Sequence, residues 1–337
     1  MVEKKHTTDD LKEMQSRSFG DKVQTSTAKI IEAMIRYDKA MYVSFSGGKD
    51  STVLADLVAK VCKLLNCKLT LWFSDTGLEF PELREHVKSY GEYLRNKYDI
   101  EVETVVEYPK VSRGKDKGKR ISFKDVIFNY GYPVISKTVS RAVSDVKKLG
   151  ENCWFYGSFT GREKGFYNYT NYKYLLDAPF KISSKCCDIM KKNPAHQFNK
   201  KSGLIPFIGT MASESLQRKN SWLKSGCNAF EDRNPSSRPM SFWTEQDVLE
   251  YIVRYELPYP SVYGKILKDE NGKYYTTGYN RTGCMFCAYG CHLEKEPNRF
   301  QMLKRTHPKA WEYCMKSVAD GGLGLKTVLE YIGVKSE

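Results

Sequence analysis

The chain predicts an α/β fold, a doubly wound parallel sheet with a C-terminal cysteine-bearing lobe of helices and loops. Three observations carry that expectation. Apolar runs of strand length alternate with helix-period stretches through the first half. A Gly-Gly loop sits where the first of those strands gives way to a helix. From about residue 180 onward the elements shorten, and paired cysteines appear. With 337 residues and 41% hydrophobic content there is ample material for a core, and no Pro-Gly-Ser linker or internal repeat divides it. No apolar run reaches the length of a membrane span.

Strands are expected near 40–45, 69–74, 101–106 and 153–157, with helices between them. The first of these leads into Ser44-Phe45-Ser46-Gly47-Gly48-Lys49-Asp50-Ser51, after which Val53, Leu54, Leu57, Val58, Val61, Leu64 and Leu65 recur at helical spacing. Two glycines let the backbone approach an anion closely, the helix start supplies amide donors, and Ser46 and Ser51 add hydroxyls. A phosphate or pyrophosphate is the expected ligand. The pattern is not G-x-x-x-x-G-K-[ST], because Asp50 follows Lys49 and no glycine stands five positions before Gly48.

One strand later, residues 69–73 run into Ser74-Asp75-Thr76-Gly77-Leu78-Glu79-Phe80-Pro81. Polar loops after neighbouring parallel strands collect at one carboxyl edge, so Asp75 and Thr76 are expected to hydrogen-bond ribose or base, with Gly77 turning the chain into a helix over 82–98. A third segment, Pro239-Met240-Ser241-Phe242-Trp243-Thr244-Glu245-Gln246-Asp247-Val248-Leu249-Glu250-Tyr251-Ile252, reads as a helix capped by Thr244 and Asp247 with a buried face of Val248, Tyr251 and Ile252.

Together these three segments resemble the phosphoadenosine phosphosulfate (PAPS) reductase family, within the PP-loop, or adenine nucleotide alpha hydrolase, superfamily; the resemblance spans roughly residues 24–300. It implies an adenine nucleotide site built from Ser44, Ser46, Gly47, Gly48, Lys49, Asp50, Ser51, Asp75, Thr76 and Gly77. The family also places a Gly-Ser-Arg segment beside the nucleotide, which maps to 209–218 and adds Arg218. The expected organisation is a polar, loosely attached arm over 1–23, a PP-loop domain over 24–235, and a lobe over 236–337 that completes a metal site.

Ten cysteines without a secretory leader pattern indicate a reducing cytoplasm rather than a disulfide framework. Cys62, Cys67 and Cys153 read as packing residues. Adjacent Cys186 and Cys187, and the C-x-x-C of Cys284 and Cys287, form two pairs able to close one tetrahedral or cubane site, since four thiolates repel unless a metal neutralises them. Cluster-binding members of the family show the same arrangement, which implies that these four hold a 4Fe-4S cluster, with Zn as the rival. Cys227 and Cys291 are unassigned, and a general-acid role stays open for His292.

The chain departs from the family's reductases in one respect. Their nucleophilic cysteine, in a C-terminal Glu-Cys-Gly-Leu-His motif, has no counterpart in 327–337, and no cysteine follows Cys314. The Gly-Gly-Lys-Asp form of the loop belongs with cleavage of intact ATP, so the expected activity is ATP-dependent adenylation coupled to sulfur transfer. Lys49 and Asp50 are the expected catalytic groups, Lys49 meeting phosphate charge and Asp50 lying near Mg. The alternatives are a sulfonucleotide (PAPS or APS) reductase releasing sulfite with thioredoxin, and a non-catalytic nucleotide-binding module.

Lys plus Arg at 54 against Asp plus Glu at 40 give a net charge of +14, which makes nucleic acid a candidate partner besides the nucleotide and a sulfur donor protein. Lys110, Arg113, Lys115, Lys117, Lys119 and Arg120 crowd one stretch that reads as a solvated, mobile insertion. Arg162 and Lys164 are further candidate anion contacts, and the aromatic run 165–174 reads as a strand with one packed face. His196 and His307 have no ligand-like spacing.

Overall fold

The computed structural model describes residues 5–112, 114–161 and 167–337. The chain divides into two compact units, one of Met1–Asp75, Glu79–Glu107 and Ala195–Thr282, the other of Thr76–Leu78, Tyr108–Pro194 and Gly283–Glu337. Among the described residues no helix is long and apolar enough to cross a membrane.

The first unit holds a six-stranded sheet of β1 (Met41–Ser44), β2 (Leu69–Ser74), β3 (Val102–Glu107), β4 (Ile205–Phe207), β5 (Asn228–Ala229) and β6 (Ser236–Ser237). Their spatial order is β3-β2-β1-β4-β6-β5, parallel throughout except for the antiparallel edge pair β5 and β6. Chain order reverses between β1 and β4, so the loop after β1 opens at the switch point where ligands of open α/β sheets collect. β1 is buried along Met41, Tyr42 and Val43, as expected for a central parallel strand covered on both faces. The helices include α1 (Thr8–Ser16), α2 (Phe19–Arg36), α3 (Lys49–Leu64), α4 (Pro81–Tyr98) and, later in the chain, Asn193–Ser202, Leu216–Ser225 and Glu245–Arg254. Val53, Leu54, Leu57 and Val58 of α3 are fully buried, each contributing roughly 2 kcal/mol of apolar transfer energy.

Three sequence expectations are corrected here. Over its described residues, 5–23, the expected arm is not loose: α1 and α2 are capped by Thr7 and Ser18. Leu11 is buried, and the buried Lys22 ammonium lies 2.7 Å from Asp247. The boundary at 235/236 would cut the sheet, because β6 pairs with both β4 and β5. Nor is 153–157 a strand. Gly150, at φ +60°, ends the helix Lys137–Leu149; the Cys153 amide then turns back onto the Gly150 carbonyl and Tyr156 begins a short helix.

In the second unit the strand Val134–Ile135 pairs in parallel with Ala288–Tyr289, and the Ser140 hydroxyl closes on both backbone groups of Val134. Helices Arg299–Thr306 and Pro308–Met315 follow one another near the end of the chain. The aromatic run is a 3-10 helix over Thr170–Asp177 instead of a strand, because the Asn168 side chain accepts from the Thr170 amide and starts a turn. The basic stretch is a closed turn, bridged between Lys110 and Arg120, with the Arg120 guanidinium over the Tyr108 ring. Arg113, Arg162, Lys164 and the start of the aromatic run at 165 and 166 lie outside the described residues.

Candidate functional site

The loop after β1 is shaped by its glycines. Gly47 has φ +76°, and a Cβ there would stand 2.8 Å from both the Leu83 carbonyl oxygen and Val87 Cγ2, so α4 packs on a backbone that only glycine supplies. Gly48 caps α3 without a side chain. The Ser51 hydroxyl donates to the Gly48 carbonyl at 2.9 Å and accepts from the Ser46 amide at 3.2 Å, with Ser46 Oγ 3.1 Å away. Beneath the loop, Thr52 Oγ1 lies 2.9 Å from His86 Nε2 and the Tyr90 hydroxyl donates to the Thr52 carbonyl. Burial pushes His86 down to about 4, so this imidazole is neutral near pH 7.

Charges converge at the start of α3. Lys49 is buried, its ammonium donating to the Asn280 carbonyl at 3.0 Å and lying 3.2 Å from Glu245 and 3.8 Å from Asp50. Burial opposes its charge, but Asp50, Tyr263 and Glu245 outweigh that and hold its pKa above the ordinary lysine value. Asp50 is raised, first by burial and then by Glu245, against the pull of Lys49, Arg281 and Arg218. Its Oδ1 is buried and accepts no hydrogen bond among the described residues, an orphaned carboxylate oxygen of the kind that suits a divalent cation. Gly209, following β4, brings its backbone against Asp50: a Cβ there would meet the Asp50 carbonyl at 3.2 Å. That approach carries in the helix Leu216–Ser225, where Arg218 pairs with Glu214 and feels both Arg281 and Asp50.

The Asp-Thr-Gly segment divides. Asp75, at the carboxyl end of β2 beside β1, pairs with Arg84 of α4 in the first unit. Thr76 and Gly77 belong to the second, where Thr76 Oγ1 accepts from the Leu78 amide and the Leu78 carbonyl accepts from Met285, inside the C-x-x-C turn.

All ten cysteines are free thiols. Cys186 sits on the short helix Lys185–Cys187, and its thiol is raised by burial and then by Cys284, Cys187 and Cys287. Burial, then Cys284, pushes Cys287 up to about 11. The four thus share one electrostatic neighbourhood, in which burial and then the neighbouring thiols raise Cys186 and Cys287. Their donor set suits a cluster iron or zinc. Among the described residues, no group of three or more His, Cys, Asp or Glu side chains is drawn together as a metal-ion site. Cys227, hydrogen-bonded by Ser241, and Cys291, donating to the Ala288 carbonyl, are buried thiols; burial raises both, Cys291 to about 12. His292 faces the Tyr172 hydroxyl at 3.4 Å.

Sequence reasoning named Lys49, Asp50 and Arg218 for the nucleotide, and both cations act electrostatically on Asp50; it named four cysteines for a cluster, and three of them act on Cys186 without closing a metal-ion site among the described residues. It missed Glu245, Tyr263, Asn280, Arg281 and Thr282. The Tyr263 hydroxyl accepts from the Lys49 amide at 3.2 Å and is bonded to Thr282. Glu245 was visible as the first residue of a capped helix, and Arg281 and Thr282 as the approach to the C-x-x-C turn. Nothing in Ser261-Val262-Tyr263 signalled its contact with a loop more than two hundred positions earlier. Tyr289, another omission, lies within electrostatic reach of Cys187, Cys287 and Cys186.

The sequence profile of the phosphoadenosine phosphosulfate reductase domain matches residues 40–160 and 158–289, well over half the chain. No curated protein matches. Among solved structures, the U34-tRNA thiolase NcsA from Methanococcus maripaludis, with its 4Fe-4S cluster, is similar at 15% identity over 94% of this chain and 83% of that one, with a TM-score of 0.35. That correspondence is too loose to carry an argument.

Proposed function

The chain belongs to the phosphoadenosine phosphosulfate reductase family, and from that premise we propose that it cleaves ATP between its α and β phosphates and passes on the adenylate in a sulfur-transfer reaction. One observation supports this reading above the rest: at the sheet's switch point Lys49 of the glycine loop, with Arg218 and Arg281 from later segments, acts on the Asp50 carboxylate. Three cations suit a polyphosphate better than a single sulfate ester.

In this reading an acceptor oxygen attacks the α phosphorus, the bond to the bridging oxygen breaks, and its electron pair leaves with pyrophosphate. Main-chain N–H groups of Gly47 and Gly48 and the Lys49 ammonium hold the departing charge, while Ser46 and Ser51 orient the phosphates. Asp50 would hold Mg, whose chemistry is to neutralise and align the polyphosphate. Asp75, Thr76 and Gly77 serve the nucleoside. Cys186, Cys187, Cys284 and Cys287 would hold a 4Fe-4S cluster, which supplies a thiophilic, redox-active centre when bound. DNA phosphate, a transfer RNA base and a small molecule are the acceptor classes, with a sulfur donor protein as partner.

Isotope exchange from labelled pyrophosphate into ATP, with candidate acceptors present, tests the adenylation step. Label is expected in ATP, and its entry should vanish in Lys49→Ala. No exchange with any acceptor, combined with sulfite release from a sulfonucleotide and thioredoxin, would replace this reading with the reductase. Nucleotide binding without either reaction would leave a non-catalytic module. Iron, sulfide and zinc analysis after anaerobic purification decides the metal.

A further inference from the structure

Two cavities of similar size open on the first unit, and their charges differ. One, of about 450 Å³, is lined by Lys5, Lys224, Glu32, Glu231 and Asp232 among others. It is self-neutralised: Lys5 pairs with Glu231 at 2.6 Å and Lys224 with Asp232 at 3.0 Å. The other, of about 470 Å³, is lined by His196, Asn199, Lys200, Gly203, Arg233 and Asn234 among others, with no acidic residue in its wall. Among the described residues neither Lys200 nor Arg233 enters an ion pair. The buried Tyr42 phenol donates to Asn199 Oδ1 at 2.6 Å, which leaves the two amide N–H donors and one lone pair of Oδ1 as the side chain's remaining polar capacity. The wall therefore offers donors and positive charge, with no acidic side chain inside it to balance that charge.

The fold sets this cavity apart from the loop after β1. Gly203, Leu204 and Ile205 lead into the amino end of β4, which runs parallel to β1 with Ile205 beside Met41, and residues 233–235 lead into the amino end of β6. The loop 44–51 follows the carboxyl end of β1. The two features thus lie at opposite ends of the same strands.

We infer that the cavity of His196, Asn199, Lys200 and Arg233 is a second anion site, which takes a phosphate group. A free phosphate ester and a backbone phosphate of a nucleic acid are the two sources of that chemistry. Its volume accommodates a small ester, and its openness to the surface admits one phosphate of a longer strand. The surplus of 54 basic over 40 acidic residues has here a place where it is left uncompensated.

The full chain and its Lys200→Gln/Arg233→Gln variant would be titrated with two probes, ribose 5-phosphate and a short labelled single-stranded oligonucleotide at several salt concentrations. The double variant should weaken the recognised probe about tenfold, and for the oligonucleotide the slope of log K against log salt should shrink by about 1.4, the loss of two phosphate contacts. A loss confined to ribose 5-phosphate assigns a small ester, and one confined to the oligonucleotide assigns a strand. The Lys5→Gln/Lys224→Gln variant of the neutralised cavity should match wild type. Unchanged binding of both probes in the first variant, no binding by wild type, or an equal loss in the control would overturn the inference. Exchange of pyrophosphate into ATP is expected to persist in both variants, so a failure here leaves the reading of the loop untouched.

Discussion

The loop of the first unit and the cysteine neighbourhood of the second are built on different principles. At the loop, the main chain carries the chemistry, and packing fixes it: α4 closes on Gly47, the Gly209 backbone closes on Asp50, and the Tyr263 hydroxyl takes the Lys49 amide. At the cysteines, side chains carry it, on a three-residue helix and a turn. Burial and neighbouring thiols raise Cys186 and Cys287, which a bound cation would offset. A site of the first kind keeps its shape without its ligand. A site of the second kind owes its final form to what it binds.

The largest effect should follow from a methyl group at Gly47. Left-handed backbone costs an L-residue about 1–2 kcal/mol, and the two 2.8 Å contacts add overpacking against a helix backbone that cannot yield cheaply. Gly47→Ala should therefore lower unfolding free energy by about 3 kcal/mol in urea titration and abolish ATP binding. A variant as stable as wild type that still binds ATP would show that the loop is not held by α4.

The cysteines should respond the other way. Cys284→Ser and Cys287→Ser are expected to change apoprotein stability by less than about 1 kcal/mol, while iron per chain falls by more than about half. Metal analysis beside denaturation of the metal-free protein reads both. A collapse of the apoprotein would mean that these thiols are structural.

The same contrast decides what was legible in the sequence. Strands β1 to β3, the helix after the loop and the capped helix Glu245–Arg254 were readable because periodicity, glycine spacing and a capping pair are local signals. Strands of two or three residues such as β5 and β6 leave no periodicity to count, and the mistaken strand at 153–157 was an apolar stretch whose turn was set by Gly150 at φ +60°. The N-terminal helices looked polar because their buried side, with Leu11, Ser26, Ile30 and a lysine paired to Asp247, mixes apolar and polar groups. Lys49 and Asp50 announced themselves by motif. Tyr263 and Glu245 did not, since their role exists only once distant segments meet.

His86 offers a pH-dependent effect that bears on the loop's foundations. Its pKa falls from 6.5 to about 4 in the folded chain, chiefly through burial, so the unfolded chain binds this proton first as pH drops. The associated stability is complete above about pH 6.5 and is lost progressively down to about pH 4, amounting to about 3 kcal/mol. Denaturation midpoints of wild type and His86→Gln should accordingly converge between those two pH values. Parallel curves would remove the buried imidazole from the account.

The smallest effect should come from Tyr263→Phe, and its smallness is the point. The substitution keeps the ring under the Lys49 ammonium, 5.4 Å from its centroid, and removes only the hydroxyl that accepts from the Lys49 amide and meets Thr282. Two hydrogen bonds are lost at a buried position, at about 1 kcal/mol each. If α4 and the glycines fix the loop, that loss should appear in unfolding free energy while pyrophosphate exchange changes by less than about threefold. A tenfold or greater fall in exchange, with stability unchanged, would instead make the hydroxyl part of the chemistry and move Tyr263 from the scaffold of the loop into its working surface.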